Sequence, residues 1–189
     1  MTTLYLVQTG QTVWEEQARF DPAVGAPLTE AGQQAVRDRA AELPAEELGA
    51  VYASGGESER QTGEELARRL RAKLRTLKDL REVDYGLWQG LTRQEVRRRN
   101  PKVYRKWTEA PRTVRPPDGE TLEEAQVRVR KALRAVIKRH RGGAAVVVLR
   151  PIALALARVL LEGGDLDRVW EATDPAFTWR RYELNGQIA

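Results

Sequence analysis

Residues Leu4 to Thr12 read Leu-Tyr-Leu-Val-Gln-Thr-Gly-Gln-Thr, an apolar run that changes into a polar turn. The run from Leu4 to Val7 has the length and the flanks of a buried parallel strand. The residues that follow it, Gln8, Thr9 and Gly10, have the composition of a turn. This one stretch therefore predicts a central strand that is followed directly by a turn with polar side chains.

Two further apolar runs, with helical patterns between them, extend this prediction along the chain. Ala50–Ala53 and Ala144–Leu149 also have the character of buried parallel strands. Helices are predicted after Thr29, after the capping-box pairs Thr92/Glu95 and Thr121/Glu124, and from Pro151 to Glu162 with Gly163 as the stop. Alternating strands and helices predict an α/β fold with three layers, in which helices cover both faces of a mostly parallel central sheet.

Polar residues follow each of the three predicted strands. In open α/β sheets, ligand sites form at the carboxyl ends of the strands. Gln8, Thr9, Ser54, Ser58 and Arg150 all lie just beyond such ends. The sequence therefore predicts that these five residues meet at one edge of the sheet.

Several short motifs stand in a fixed order along the chain. They are Leu4–Thr12, then Trp14, Arg19 and Pro27–Thr29, then Ser54 with Gln61 and Thr62, then Leu80–Thr92, Pro117–Thr121 and Ala144–Leu149. In this order and register they resemble the histidine phosphatase (phosphoglycerate mutase-like) superfamily. The resemblance covers nearly the whole chain, and it implies a single domain, residues 1–189, with a phosphoglycerate mutase-like fold.

The resemblance also implies which positions belong to the phosphate pocket, and most of them hold a different residue type here. The family's first Arg and its phosphorylated His correspond to Gln8 and Thr9. Its second Arg corresponds to Ser58 and its second His to Arg150, whereas Glu82 stands in the place of the acidic proton donor. The chain is thus similar to a degenerate member, without the catalytic histidines and the pocket arginines.

Three other residues complete the implied vestigial pocket. Gly10 belongs to its turn, and Trp14 and Arg19 are candidates for its rim. Packing for Trp14 and a solvated loop position for Arg19 remain open as simpler interpretations.

The chemistry of the family explains what these replacements imply. Its reaction needs an imidazole nucleophile, guanidinium groups that hold the phosphate oxygens, and an acid for the leaving group. A threonine hydroxyl is nucleophilic only beside a general base, so Thr9 and Gln8 are more simply turn-forming residues. We therefore expect a pseudoenzyme with no catalytic residue and with a binding, regulatory or structural role. The alternative is a family enzyme with altered chemistry that uses Arg150 and Glu82 on another substrate.

Arg150 and Glu82 are the two charged groups left in the implied pocket, and we expect them to form an ion pair. An anion would then have to displace Glu82 and leave it unpaired in a partly desolvated site. Phosphate or vanadate should bind no better than millimolar, or about 4 kcal/mol. A role of Glu82 in bracing the loop Tyr85–Trp88 remains the alternative.

Amino-acid composition narrows the possible partners and locations of the protein. The 189 residues include 32 Lys and Arg, 27 Asp and Glu, and no Cys, with a net charge of +5. Acidic residues are interleaved and no nucleic-acid motif accompanies the bases, so nucleic-acid binding is not expected. No apolar run reaches the roughly 18 residues of a membrane span, and the N-terminus lacks a signal-peptide pattern. We expect a cytoplasmic protein without a cofactor, metal or membrane contact, with an unknown protein or small molecule as partner. A homodimer is compatible with these features.

Overall fold

A computed structural model describes residues 1–22, 24–44, 48–174, 176, 178–186 and 188. Within them, five strands are β1 (Thr2–Gln8), β2 (Leu48–Ala53), β3 (Leu74–Thr76), β4 (Ala144–Leu149) and β5 (Trp179–Leu184). The α-helices of the same residues are α1 (Val13–Glu16), α2 (Glu30–Glu42), α3 (Glu57–Leu70), α4 (Arg93–Arg99), α5 (Pro101–Glu109), α6 (Leu122–Arg139) and α7 (Pro151–Glu162). Short 3-10 turns lie at Lys78–Leu80, Gly86–Trp88 and Leu166–Ala172.

The five strands form one sheet in the order β3-β2-β4-β1-β5. The first four are parallel, and β5 runs antiparallel to β1 at the edge. Along β1 and β4 the pairing runs from Thr3 opposite Ala144 to Gln8 opposite Leu149, so the two central strands end side by side. The predicted α/β class with a mostly parallel sheet is confirmed.

Alternating side chains of the strands enter two different cores. On one face, Leu4, Leu6 and Val147 pack with residues of α6 and α7. On the other face, Tyr5 and Val146 pack with residues of α2 and α3. This period of two is what a sheet covered on both faces requires.

The helix starts follow the predicted signals. Thr29, Thr92 and Thr121 cap α2, α4 and α6 through their hydroxyls, the last two in full capping boxes. Helix α7 begins at Pro151 and ends at Gly163, which adopts the left-handed conformation with φ 71°. Among the described residues, no helix combines the length and the apolarity needed to cross a membrane.

Candidate functional site

A cavity of about 630 Å³ opens at the carboxyl ends of β1 and β4. Five residues singled out from the sequence line it: Gln8, Thr9, Arg19, Glu82 and Arg150. The structure adds charged and aromatic residues that the sequence did not assign to the pocket: Glu15, Phe20, Asp21, Arg39, Tyr85, Arg93, Trp170 and Asp174. Of the five residues predicted to meet at this edge, Gln8, Thr9 and Arg150 line the cavity and Ser54 and Ser58 do not, and the pocket candidates Gly10 and Trp14 also lie outside the lining.

The end of β1 is fixed by its neighbours on both sides. Thr9 donates its backbone N–H to the carbonyl of Leu149 at 3.0 Å, and Arg39 Nη1 donates to the carbonyls of Gln8 and Thr9 at 2.7 and 2.8 Å. Thr9 is 2% exposed, and its hydroxyl has no hydrogen-bond partner among the described residues. Arg39 is thus hydrogen-bonded to the backbone of this turn, whereas the Thr9 hydroxyl makes no hydrogen bond among the described residues.

Gly10 lies where the turn touches the first turn of α2. A Cβ at this position would be 2.5 Å from the carbonyl oxygen of Gly32, which is closer than real Cβ atoms approach a backbone atom. The Gly10 N–H donates to Thr62 Oγ1 at 3.3 Å. Gly10 therefore serves close packing of the turn against α2 and α3.

Arg150 is nearly inaccessible at the end of β4, with 1% of its surface exposed. Its guanidinium pairs with the carboxylate of Asp21 and donates to the Pro22 carbonyl at 3.2 Å, while its Nε has no partner in the described part of the chain. The predicted ion pair of Arg150 with Glu82 is therefore wrong. Asp21 takes that place because the loop after Phe20 brings its carboxylate directly to the guanidinium.

Glu82 is saturated by backbone donors instead. Its carboxylate accepts the N–H groups of Val83 at 2.7 Å and of Ile152 and Ala153 at 2.9 Å each. The last two are orphan donors of the first turn of α7, which attract a negative charge. Burial raises the pKa of Glu82, and the nearby positive charge of Arg150 opposes that rise. The predicted alternative, a bracing of the Tyr85–Trp88 loop, is not supported by a hydrogen bond among the described residues, because Val83 precedes that loop.

Glu15 is a further carboxyl group that lines the cavity, and it differs from Glu82 in its surroundings. It belongs to the capping box of α1, in which its Oε2 accepts the Thr12 N–H at 2.9 Å. Burial raises the pKa of Glu15 from 4.5 to about 7, and the charges of Asp21 and Glu82 act in the same direction. The pattern Thr12-x-x-Glu15 is a capping box in the sequence, so the start of α1 could have been predicted from it.

Ser58 belongs to a separate buried group. Its hydroxyl and that of Ser54 each donate to the Glu59 carboxylate at 2.9 Å. Ser58 and Glu59 are fully buried. Burial is the main cause that raises the pKa values of Asp21 and Glu82, and the nearby Glu59 acts in the same direction from behind the cavity.

The two candidate rim residues have different surroundings. Arg19 lines the cavity, donates to the carbonyl of Gly90 at 2.8 Å and lies 3.9 Å from a carboxylate oxygen of Glu95. The ring of Trp14 lies against Gly90, where an added Cβ would be 3.3 Å away. Arg19 is thus a rim residue held by protein groups, and Trp14 packs outside the cavity.

His140 is the chain's single histidine, and it lies at the other end of the sheet. It follows α6 and precedes β4, whereas Arg150 follows β4, so six residues and about 20 Å of strand separate the two ends. Its Nε2 is 2.9 Å from the Tyr52 hydroxyl. Among the described residues, no group of three or more His, Asp or Glu side chains is placed to hold a metal ion.

Comparison with known proteins agrees with this architecture. The model of the histidine phosphatase superfamily (branch 1) matches residues 4–187. The chain belongs to the histidine phosphatase superfamily. It is 31% identical over 172 residues to "Phosphoserine phosphatase 1" of Hydrogenobacter thermophilus, a match that covers 90% of this chain and 81% of the relative.

Two further comparisons concern length and shape. The chain is 32% identical over 166 residues to "Bifunctional protein Rv2228c" of Mycobacterium tuberculosis, of which it covers 45%. The solved structure "Bacillus stearothermophilus YhfR" superposes with a TM-score of 0.91 at 27% identity, over 100% of this chain and 95% of that one. The superfamily and its phosphoglycerate mutase-like fold, both predicted from the sequence, are therefore confirmed.

Proposed function

We propose that this protein is a catalytically inactive member of the superfamily, whose pocket and surface serve binding or regulation. The observation that carries the proposal is the position of His140. A phosphohistidine route needs an imidazole at the carboxyl ends of β1 and β4, where Thr9 and Arg150 stand. The only imidazole of the chain lies at the opposite end of the sheet, in contact with Tyr52.

The electrostatics of the cavity support the same proposal. A phosphate site needs guanidinium groups with free donors. Arg150 is engaged by Asp21, and Arg39 donates to two backbone carbonyls. Glu82 lines the same cavity and accepts three backbone N–H groups, which oppose the rise in its pKa that burial causes. A phosphate would therefore compete with Asp21 for Arg150 and with two backbone carbonyls for Arg39, and it would lie near carboxylates.

An enzyme with altered chemistry is the second candidate, and one observation favours it. Thr9 offers a hydroxyl that has no partner among the described residues, and Glu15 in the same cavity has a pKa of about 7. A carboxyl group that titrates near neutral pH is suited to act as a general base. This candidate needs both groups, so substitution of either removes the activity it implies.

An assay with two phosphomonoesters tests the proposal. L-phosphoserine is chosen because a phosphoserine phosphatase is among the relatives, and p-nitrophenyl phosphate is a generic substrate. We expect no phosphate release above the level of the Thr9→Ala and Glu15→Gln variants, and no acid-labile phosphate on the protein. Turnover that both substitutions abolish would replace the inactive assignment by the altered enzyme, and acid-labile phosphate on His140 would contradict both candidates.

A further inference from the structure

One exposed segment of ten residues is strongly basic. Residues 97–106, here called the basic hairpin, contain Arg97, Arg98, Arg99, Lys102, Arg105 and Lys106 and no Asp or Glu. Of the 32 Lys and Arg and 27 Asp and Glu in the chain, the other 179 residues therefore carry 26 and 27, a charge of −1 against +6 in the hairpin. Residues 128–141 are a second basic segment, with seven Lys and Arg and no Asp or Glu, but there Arg128 is buried and pairs with Glu120, and Lys131 pairs with Asp79.

These six side chains are exposed and largely unpaired. Within the described part of the chain, Arg105 has one carboxylate in reach, Glu109 at 4.0 Å, and the other five have none within that distance. Helix α3 shows how the same chain treats an ordinary exposed face, because its Arg60 pairs with Glu57 and Glu64 at 2.7 Å each. The basic hairpin lacks this neutralisation, and like charges on neighbouring turns repel each other.

The framework under the charges is rigid. Val96 of α4 and Trp107 of α5 are buried, and the Trp107 ring meets the rings of Trp88 and Trp170 with centroids 5.7 and 5.3 Å away. Pro101 starts α5 immediately after α4, which fixes the angle between them. The hairpin therefore presents a preformed cationic surface, which reduces the ordering cost of binding.

We propose that the basic hairpin binds an acidic segment of a partner protein. Four of its six bases are Arg, whose planar guanidinium matches carboxylate geometry. A single-stranded nucleic acid requires exposed aromatic rings for stacking, but Trp107 is 4% exposed and Tyr104 is half-buried. A helix that inserts into a membrane surface needs large exposed apolar side chains, and of these the hairpin offers Val103 at 37% exposure.

The proposal is independent of the activity of the cavity. None of the six bases lines it, so the binding test and the phosphatase assay can fail separately. The hairpin nevertheless adjoins the cavity, because Arg93 at the start of α4 lines it and Trp107 packs on Trp170, which lines it as well. A bound acidic segment would therefore lie beside the cavity mouth.

Fluorescence anisotropy with a labelled oligoglutamate of about ten residues tests the proposal at low and at physiological salt. We expect binding that weakens with salt and that falls at least about tenfold in the triple variant Arg97→Ala, Arg99→Ala, Lys102→Ala. The matched control is Lys138→Ala, Arg139→Ala, Arg141→Ala, which removes the same residue types from an exposed segment at the end of α6. This control should bind as the unmodified protein does.

Three outcomes would overturn the proposal. The first is the absence of oligoglutamate binding at low salt, and the second is an equal loss in both triple variants. The third is tighter, hairpin-dependent binding of a duplex or single-stranded oligonucleotide or of phosphatidylserine vesicles, which would assign the surface to nucleic acid or to lipid. Circular dichroism of both triple variants verifies that the comparison is made between folded proteins.

Discussion

At the scale of single residues, Asp21 determines whether the Arg150 guanidinium is available to a ligand. The two side chains pair while 4% and 1% exposed, so the pair is shielded from screening by solvent. We expect Asp21→Asn to tighten vanadate binding by about tenfold, or about 1.4 kcal/mol, because the guanidinium then loses its competing carboxylate. Isothermal titration calorimetry measures this change.

Asp174→Asn provides the matched control for that substitution. Asp174 lines the same cavity, but its Oδ1 accepts the N–H of Ala176 and does not contact Arg150. It should leave vanadate affinity within about twofold, since it removes a charge without freeing a guanidinium. Equal gains in both variants would show that overall charge, and not the release of Arg150, controls anion binding.

The pairing of Arg150 shows where prediction from the sequence ends. Its position at the carboxyl end of β4 was predictable, since a strand end is a property of local pattern. Its partner was not predictable, because Asp21 is 129 positions away and reaches the guanidinium through an irregular loop. Opposite charges in one pocket predict a pair only when neither group has better donors, and Glu82 has three backbone N–H groups.

At the scale of elements, Glu82 joins two parts of the chain by holding the first turn of α7. A glutamine amide in its place would keep one acceptor oxygen but would turn an NH2 group toward backbone donors. We therefore expect Glu82→Gln to lower the free energy of unfolding by about 2–3 kcal/mol, the range for charge-assisted hydrogen bonds. Chemical denaturation measures this loss.

The control for the Glu82→Gln substitution is Glu123→Gln, in the first turn of α6. Glu123 is an exposed acidic residue near a helix start, so its substitution tests the helix dipole without buried hydrogen bonds. It should change stability by less than about 0.5 kcal/mol. A loss at position 82 no larger than at position 123 would mean that Glu82 does not anchor α7.

The elements themselves were mostly readable from local signals. Helix α7 was predicted from Pro151 to Glu162, and the structure gives the same bounds, since a proline start and a glycine stop are both local. Strand β5 was not predicted, because its residues Trp179–Leu184 are exposed or half-buried at the sheet edge and several carry charges. Edge strands rely on a neighbour for their hydrogen bonds, and that neighbour, β1, lies far away in the sequence.

At the scale of the whole molecule, the carboxyl groups of the cavity link stability to pH. Burial raises the pKa of Glu15 to about 7 in the folded protein, whereas the unfolded chain has the ordinary 4.5. Between these values the folded state holds a proton that the unfolded state has released. The stability that the neutral side chain contributes is therefore complete below pH 4.5 and is lost as the pH rises to about 7.

His140 acts in the opposite sense, so the effect of Glu15 has to be isolated by comparison. Burial lowers the pKa of His140, and a folded state that releases this proton more easily gains stability as the pH rises toward 6.5. The His140 contribution cancels in the difference in unfolding free energy between the unmodified protein and Glu15→Gln, because both proteins contain His140. The substituted amide also keeps an acceptor for the Thr12 N–H, so the capping contact is preserved.

We expect Glu15→Gln to have little effect at pH 4.5 and to stabilise the protein by up to about 3 kcal/mol at pH 8, where the native carboxyl group must be charged in a half-buried position. Urea denaturation at both pH values measures the difference, and we expect one cooperative transition throughout because we propose a single domain. Glu16→Gln, an exposed neighbour on the same helix, should show no such pH dependence. If the difference in unfolding free energy between Glu15→Gln and the unmodified protein is the same at both pH values, Glu15 titrates as an ordinary surface carboxyl group. The altered-enzyme candidate would then lose its general base.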